Sequence, residues 1–144
     1  MLTPSLEDYL EESYRHLEAH GIVRPKDLAT RLHVSMPSVT KALQKLSEQG
    51  FVVYRSRKDV TLTGKGIDVG RYLVSRNRVL QDFLRVIGST LNIESEVEAM
   101  EHYLSPETID RIAFLTQFLM QPGQAQEFRR LWETARQTEM CTRP

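Results

Sequence analysis

The spacing of apolar residues changes after Gly50, and this change restricts the fold more than any other feature of the chain. Before it, apolar residues recur every three or four positions in three segments, each beginning near a proline. This spacing predicts amphipathic helices, at about 4–20, 26–32 and 36–49. After it, Phe51–Tyr54 and Val60–Leu62 are β-rich and flank a polar stretch, which predicts a small hairpin.

The remainder of the sequence has a helical spacing throughout. Thr63 is suited to cap a long helix that Gly88 ends. The predicted helices lie at about 63–87, 93–104, 106–120 and 124–137. The chain is therefore expected to be mainly α, with domains at 1–71 and 72–144 that share the long helix.

Charge is balanced overall but unevenly distributed along the 144 residues, which carry 19 basic and 19 acidic side chains. Residues 1–23 hold one base and five acids, whereas residues 24–65 hold nine bases and three acids. This distribution predicts a local anion-binding surface. The single cysteine, Cys141, excludes an internal disulfide, and no apolar run reaches the roughly 18 residues of a membrane span. We expect a soluble cytoplasmic protein that does not insert into a membrane.

The second and third helices, with the hairpin after them, have the spacing of a winged helix-turn-helix. Three residues, 33–35, separate the helices, and the hairpin tip is basic. The third helix would then read double-stranded DNA, and the tip would contact phosphates. Such units also serve as packing or protein-binding modules, but the coincident basic charge favours DNA. The candidate DNA-binding residues are Ser35, Pro37, Ser38, Thr40, Lys41, Gln44, Lys45, Arg55, Arg57 and Lys58.

Two acids and a histidine lie together in the predicted helix at 93–104. Glu98, Glu101 and His102 stand at positions i, i+3 and i+4, which share one helix face. Alternatively, these three residues belong to a helix face that is exposed to solvent and has no binding role. This alternative accounts for acids in the first turn but poorly for Glu101, which lies near the end.

The first helix repeats this arrangement with Asp8 and Glu11 at i and i+3. For Asp8 the alternative is a capping box with Ser5. Taken together, four carboxylates and one imidazole suggest a cation site. Oxygen ligands with one nitrogen suit Mn²⁺ or Fe²⁺ better than structural Zn²⁺.

Several segments, in this order and at this spacing, resemble the manganese transport regulator branch of the diphtheria toxin repressor family. They are Thr3–Glu11, Pro37–Lys41, Leu62–Gly66, Phe83–Gly88 and Val97–His102. The resemblance runs to about Gln117. It implies a metal-activated, dimeric winged-helix repressor, here of metal-uptake genes. The short chain implies that the SH3-like third domain of longer members is absent.

The resemblance also implies a set of metal ligands. They are Asp8, Glu11, Glu98, Glu101 and His102, with Asn77 at the position of a sixth, histidine ligand. Asn offers a weaker ligand than imidazole. The number of Mn²⁺ or Fe²⁺ ions that each subunit binds, one or two, is therefore left open. So is the alternative of a regulator of the same fold that has lost or altered metal sensing.

Dimerisation is expected through the last three helices, from about Ile93. Their apolar residues outnumber what one helix pair needs, as shown by Ile109, Ile112, Leu115, Phe118 and Leu119. A two-fold dimer would read a pseudo-palindromic operator. An enzyme is the third possibility, because carboxylates and His on helices also occur in di-iron bundles. No phosphate loop or nucleophile motif is present, so we predict no enzymatic activity.

Overall fold

The computed structural model describes residues 2–55 and 59–139 and confirms a mainly α chain with a small two-stranded sheet. Arg57, Lys58 and Cys141 lie outside the described residues. The helices are α1 (Pro4–His20), α2 (Pro25–Arg31), α3 (Met36–Glu48), α4 (Gly64–Val86), α5 (Ile93–Glu101), α6 (Pro106–Leu119) and α7 (Gln124–Glu139). The strands are β1 (Val52–Val53) and β2 (Thr61–Leu62).

Three helices begin at a hydroxyl side chain followed closely by proline. The Oγ1 of Thr3 accepts from the backbone N–H of Leu6 at 3.4 Å, and Ser35 and Ser105 cap α3 and α6 in the same way. These bonds satisfy N–H groups that have no partner within the helix. Since Thr3 is the cap of α1, the capping-box interpretation of Ser5 and Asp8 is wrong.

The first compact unit covers residues 1–75 and contains the predicted winged helix-turn-helix. Helix α3 buries Val39, Ala42, Leu43 and Leu46, the face expected from its spacing. In the hairpin, Val52 lies opposite Leu62 and Val53 opposite Thr61 in an antiparallel pair. A bridge between residues 23 and 60 joins this hairpin to the chain segment before α2.

Gly70 marks a close approach of α4 to α1 within the first unit. A Cβ at this position would lie 2.6 Å from the Cβ of Tyr14. Gly70→Ala is therefore expected to destabilise the fold by about 1–3 kcal/mol through overpacking, measured by urea denaturation. Gly64→Ala is the matched control, because no atom lies within 4 Å of a Cβ built there. Equal denaturation midpoints for the two variants would contradict this close packing.

The second unit covers residues 76–144 and is built around its own apolar cluster. Leu80 and Leu84 of α4 pack with Val97 of α5 and Ile109 of α6. The structure divides the chain after Ser75, inside α4, whereas the predicted domain boundary was 71/72. No helix among residues 2–55 and 59–139 has the length and apolar character needed to cross a membrane.

Helix α5 is shorter than its sequence predicts, and the expected range 93–104 is wrong at its end. It stops at Glu101, and His102 follows as the C-cap residue. The backbone N–H groups of Tyr103 and Leu104 both bond to the carbonyl of Met100, in a tightened final turn. The hydroxyl cap Ser105 and then Pro106 start α6 directly afterwards, so α5 has no room to continue.

Candidate metal centre and DNA-binding surface

The start of α3 presents polar side chains at the surface of the first unit. Thr40 is half-buried and the other residues of the predicted set in this helix are exposed. The exposed ones are Ser35, Pro37, Ser38, Lys41, Gln44 and Lys45. Hydroxyl and amide groups there match the base edges of a major groove, and lysines match phosphates.

The two serines at this end of α3 also stabilise the helix itself. The hydroxyls of Ser35 and Ser38 are 2.9 Å apart, and the backbone N–H of Ser38 donates to the Oγ of Ser35 at 3.3 Å. His33 adopts a left-handed backbone with φ 53° in the turn that leads into the helix. Capping and DNA contact are compatible roles, because each hydroxyl oxygen accepts more than one hydrogen bond.

Two apolar residues beside these serines are exposed and were not among the predicted DNA-binding residues. Val34 and Met36 are 36% and 40% exposed at the N-terminal end of α3. Apolar side chains in this position suit the methyl group of thymine. The spacing gave no signal for Met36, because it lies three residues before the buried Val39 and so falls on the inward-facing spacing of α3.

Some basic residues of the segment 24–65 are engaged within the fold. The Nζ of Lys65 donates to the carbonyl of Gln49 at 2.9 Å and lies 4.1 Å from the ring centroid of Phe51. The Nε of Arg31 lies 3.4 Å from a carboxylate oxygen of Glu12. Lys41 and Lys45 of α3 and Arg55 after β1 are exposed.

Asp8 and Glu11 lie one turn apart on α1 in the first unit. Glu11 is 8% exposed, and its Oε1 accepts from the Nη2 of Arg15 at 2.6 Å. Burial, together with the charge of Asp8, raises the pKa of the Tyr9 phenol above its ordinary value. The phenol of Tyr9 therefore stays neutral.

Glu101, His102 and Asn77 meet in the second unit. Glu101 is 4% exposed, and its Oε2 accepts from the Nδ2 of Asn77 at 3.0 Å. Its Oε1 lies 3.9 Å from the Nε2 of His102. A buried carboxylate beside an imidazole is a donor pair that fits a divalent cation such as Mn²⁺ or Fe²⁺.

Glu98 occupies a different environment from Glu101, although both belong to α5. It is exposed, whereas Glu101 is buried. The structure therefore does not bring Glu98 into the contact that joins Glu101 to Asn77. Its assignment as a ligand stays a prediction, as do those of the other five residues.

Two further polar residues of α4 extend this cluster and were missed from the sequence. The Nε2 of Gln81 donates to the Oδ1 of Asn77 at 2.8 Å, and the Nη2 of Arg85 donates to the Oε1 of Gln81 at 2.7 Å. The signal that would have found them is the spacing 77, 81, 85, which places all three on one helix face.

Both units match models of a known protein family. Residues 1–60 match "Iron dependent repressor, N-terminal DNA binding domain". Residues 63–126 match "Iron dependent repressor, metal binding and dimerisation domain". Two similar proteins are named HTH-type transcriptional regulator MntR. The one from Geobacillus kaustophilus is 44% identical over 84% of this chain and 86% of its own, and the one from Bacillus subtilis is 43% identical over 82% and 84%.

Solved structures agree with these matches. The metal-dependent transcriptional regulator MtsR superposes with a TM-score of 0.71 and 30% identity, over 81% of this chain and 55% of that chain. The manganese regulator SloR gives 0.70 and 27% over the same shares. This chain thus spans about half the length of those two proteins.

The relatives are transcriptional regulators, which confirms the prediction of a regulator and not an enzyme. The chain belongs to the iron dependent repressor family of metal-dependent, DNA-binding transcriptional regulators.

Proposed function

We propose that this protein is a cytoplasmic, homodimeric repressor that Mn²⁺ or Fe²⁺ activates for binding to operators of metal-uptake genes. The observation that carries the proposal is the contact of buried Glu101 with His102 and Asn77, inside the segment that matches a metal-binding domain. The names of the similar proteins, which include a manganese regulator, support Mn²⁺ as the first ion to test.

The proposed ligands of the ion come from two parts of the sequence. Asp8 and Glu11 lie on α1 of the first unit, and Glu98, Glu101 and His102 lie on or directly after α5 of the second. Carboxylate oxygens with one imidazole nitrogen suit Mn²⁺ and Fe²⁺. When bound, the ion supplies positive charge that neutralises these acids.

Such an ion would couple metal binding to DNA binding. A cation that takes ligands from both units reduces their freedom relative to each other, and DNA then binds with a smaller ordering cost. Couplings of this kind are typically worth about 1–3 kcal/mol. The carboxylate of Glu11 already accepts a hydrogen bond from Arg15. An ion that binds Glu11 would therefore share this carboxylate with the guanidinium of Arg15.

The proposed DNA surface is the exposed start of α3 together with the wing. Two copies of α3 in a two-fold dimer would read two half-sites of a pseudo-palindromic operator. Exposed apolar side chains in the second unit support dimerisation there, since isolated chains seldom expose such groups together. These side chains are Phe114, Leu115, Phe118, Leu131 and Trp132.

The test is a titration of metal into chelator-treated protein with a labelled duplex selected from a random DNA pool in the presence of Mn²⁺. Fluorescence anisotropy should show DNA affinity rising by about 5- to 150-fold on Mn²⁺ addition. Mg²⁺ is the control ion, because a site with an imidazole ligand favours transition metals. DNA affinity that does not change with Mn²⁺, Fe²⁺, Co²⁺ or Zn²⁺ would refute metal control and favour a regulator that has lost metal sensing.

A further inference from the structure

A row of side-chain hydrogen bonds runs along one face of α4 and ends on the carboxylate of Glu101. Arg85 donates to Gln81 at 2.7 Å, Gln81 donates to Asn77 at 2.8 Å, and Asn77 donates to Glu101 at 3.0 Å. The three donors lie four residues apart, at successive turns of the helix. We call these four residues the amide relay.

The direction of each hydrogen bond in the amide relay is determined by Arg85. Arginine has donors only, so the side-chain oxygen of Gln81 must face Arg85. Its nitrogen then faces Asn77, whose oxygen accepts. The nitrogen of Asn77 then faces Oε2 of Glu101, which accepts. Turning the Asn77 amide over would place its oxygen against the oxygen of Glu101, so that two acceptors face each other. It would also place its nitrogen against the nitrogen of Gln81, so that two donors face each other.

This direction determines what position 77 offers to a metal ion. An amide nitrogen has no lone pair for a metal, and the amide oxygen of Asn77 is directed at Gln81, on the opposite side of the amide from Glu101. Its N–H group occupies Oε2 of Glu101, while Oε1 faces the imidazole of His102. A carboxylate that bridges two cations presents one oxygen to each. The N–H group of Asn77 donates to Oε2 and would therefore compete with a second cation for that oxygen.

From this geometry we infer that Asn77 is a positioning residue and not a ligand, and that each protomer binds one divalent transition-metal ion through Oε1 of Glu101. The inference rests on the proposed function, because it concerns the same site. Asn77 holds the carboxylate in one orientation, and Gln81 and Arg85 hold the orientation of Asn77.

The experiment counts bound ions in three proteins: the natural chain, Asn77→Ala and Asn77→His. Each is equilibrated with Mn²⁺ and gel-filtered in Mn²⁺-containing buffer, and metal per protomer is measured by mass spectrometry. The natural chain should hold one ion. Asn77→Ala should also hold one, with affinity about 10- to 100-fold weaker because the carboxylate has lost its support. Asn77→His should hold two, since an imidazole supplies a new ligand and removes the N–H group from Oε2.

Electron paramagnetic resonance gives an independent readout. A pair of nearby Mn²⁺ ions in Asn77→His should show a spin-coupled spectrum that the natural chain lacks. Circular dichroism of the metal-free proteins checks that all three are folded. Two ions in the natural chain, one ion in folded Asn77→His, or unchanged affinity in Asn77→Ala would each overturn the inference.

The same samples separate this inference from the proposed function. If the natural chain binds two ions and its DNA affinity responds to Mn²⁺, the inference fails and the proposed function stands. If it binds one ion and its DNA affinity does not respond, the proposed function fails and the ion count stands. A natural chain that binds no ion contradicts both.

Discussion

Replacing Glu101 by glutamine is expected to abolish the response of DNA binding to Mn²⁺. The carboxylate is buried and faces His102 through one oxygen and Asn77 through the other. Glutamine keeps the shape of the side chain but removes the negative charge that attracts the cation. Loss of a supporting residue alone typically weakens metal affinity about 10- to 100-fold, so loss of a ligand should weaken it by at least about 100-fold.

Glu101→Gln is measured by calorimetric Mn²⁺ titration and by DNA anisotropy on the same preparation. Glu94→Gln is the matched control, because Glu94 lies on the same helix, is exposed and belongs to its first turn. The control should bind Mn²⁺ like the natural chain. If Glu101→Gln retained the natural Mn²⁺ affinity, Glu101 would not be a ligand, and the metal site would have to be sought elsewhere.

Placing two charges on the apolar surface of α6 is expected to separate the dimer and weaken operator binding about 10²- to 10⁴-fold. Leu115 and Phe118 are 44% and 45% exposed in the single chain, and they belong to a segment that matches a dimerisation domain. In a two-fold interface each substitution occurs twice, so Leu115→Glu with Phe118→Glu brings four carboxylates into one interface. The separated subunits then bind the two half-sites of the operator independently, and the gain in affinity from bivalent binding is lost.

Sedimentation velocity measures the oligomeric state of this double variant, and anisotropy with saturating Mn²⁺ measures its affinity for DNA. Leu91→Glu is the control, because Leu91 is 77% exposed in the connection between α4 and α5. The control should remain dimeric. A double variant that sediments as a dimer would show that α6 does not form the interface.

Helix starts and helix faces were accessible from the sequence because they depend on local chemistry. Thr3, Ser35 and Ser105 are followed closely by proline, and each caps a helix. The inward face of α3 followed from its 3.6-residue spacing. The end of α5 was not accessible in this way, because a competing helix start at Ser105 ends α5 and leaves His102 as a C-cap.

The pairing of acids on the first and fifth helices is a sequence feature, and the cation site that it predicts still awaits the tests above. Sequence spacing alone placed Glu98 and Glu101 on one face, but only the tertiary structure separates them into an exposed and a buried residue. Burial depends on what packs against a helix, which periodicity does not specify.

The sequence by itself determined that asparagine stands at position 77, where the family resemblance calls for histidine. It left open whether Asn77 presents its oxygen or its nitrogen to the site. The tertiary structure decided this, because Glu101 from α5 meets Asn77 at one end of a row of amides and Arg85 holds the other end. The oxygen and nitrogen of a side-chain amide are similar in size, so the hydrogen-bonding neighbours that the fold brings to the amide determine which way each atom points.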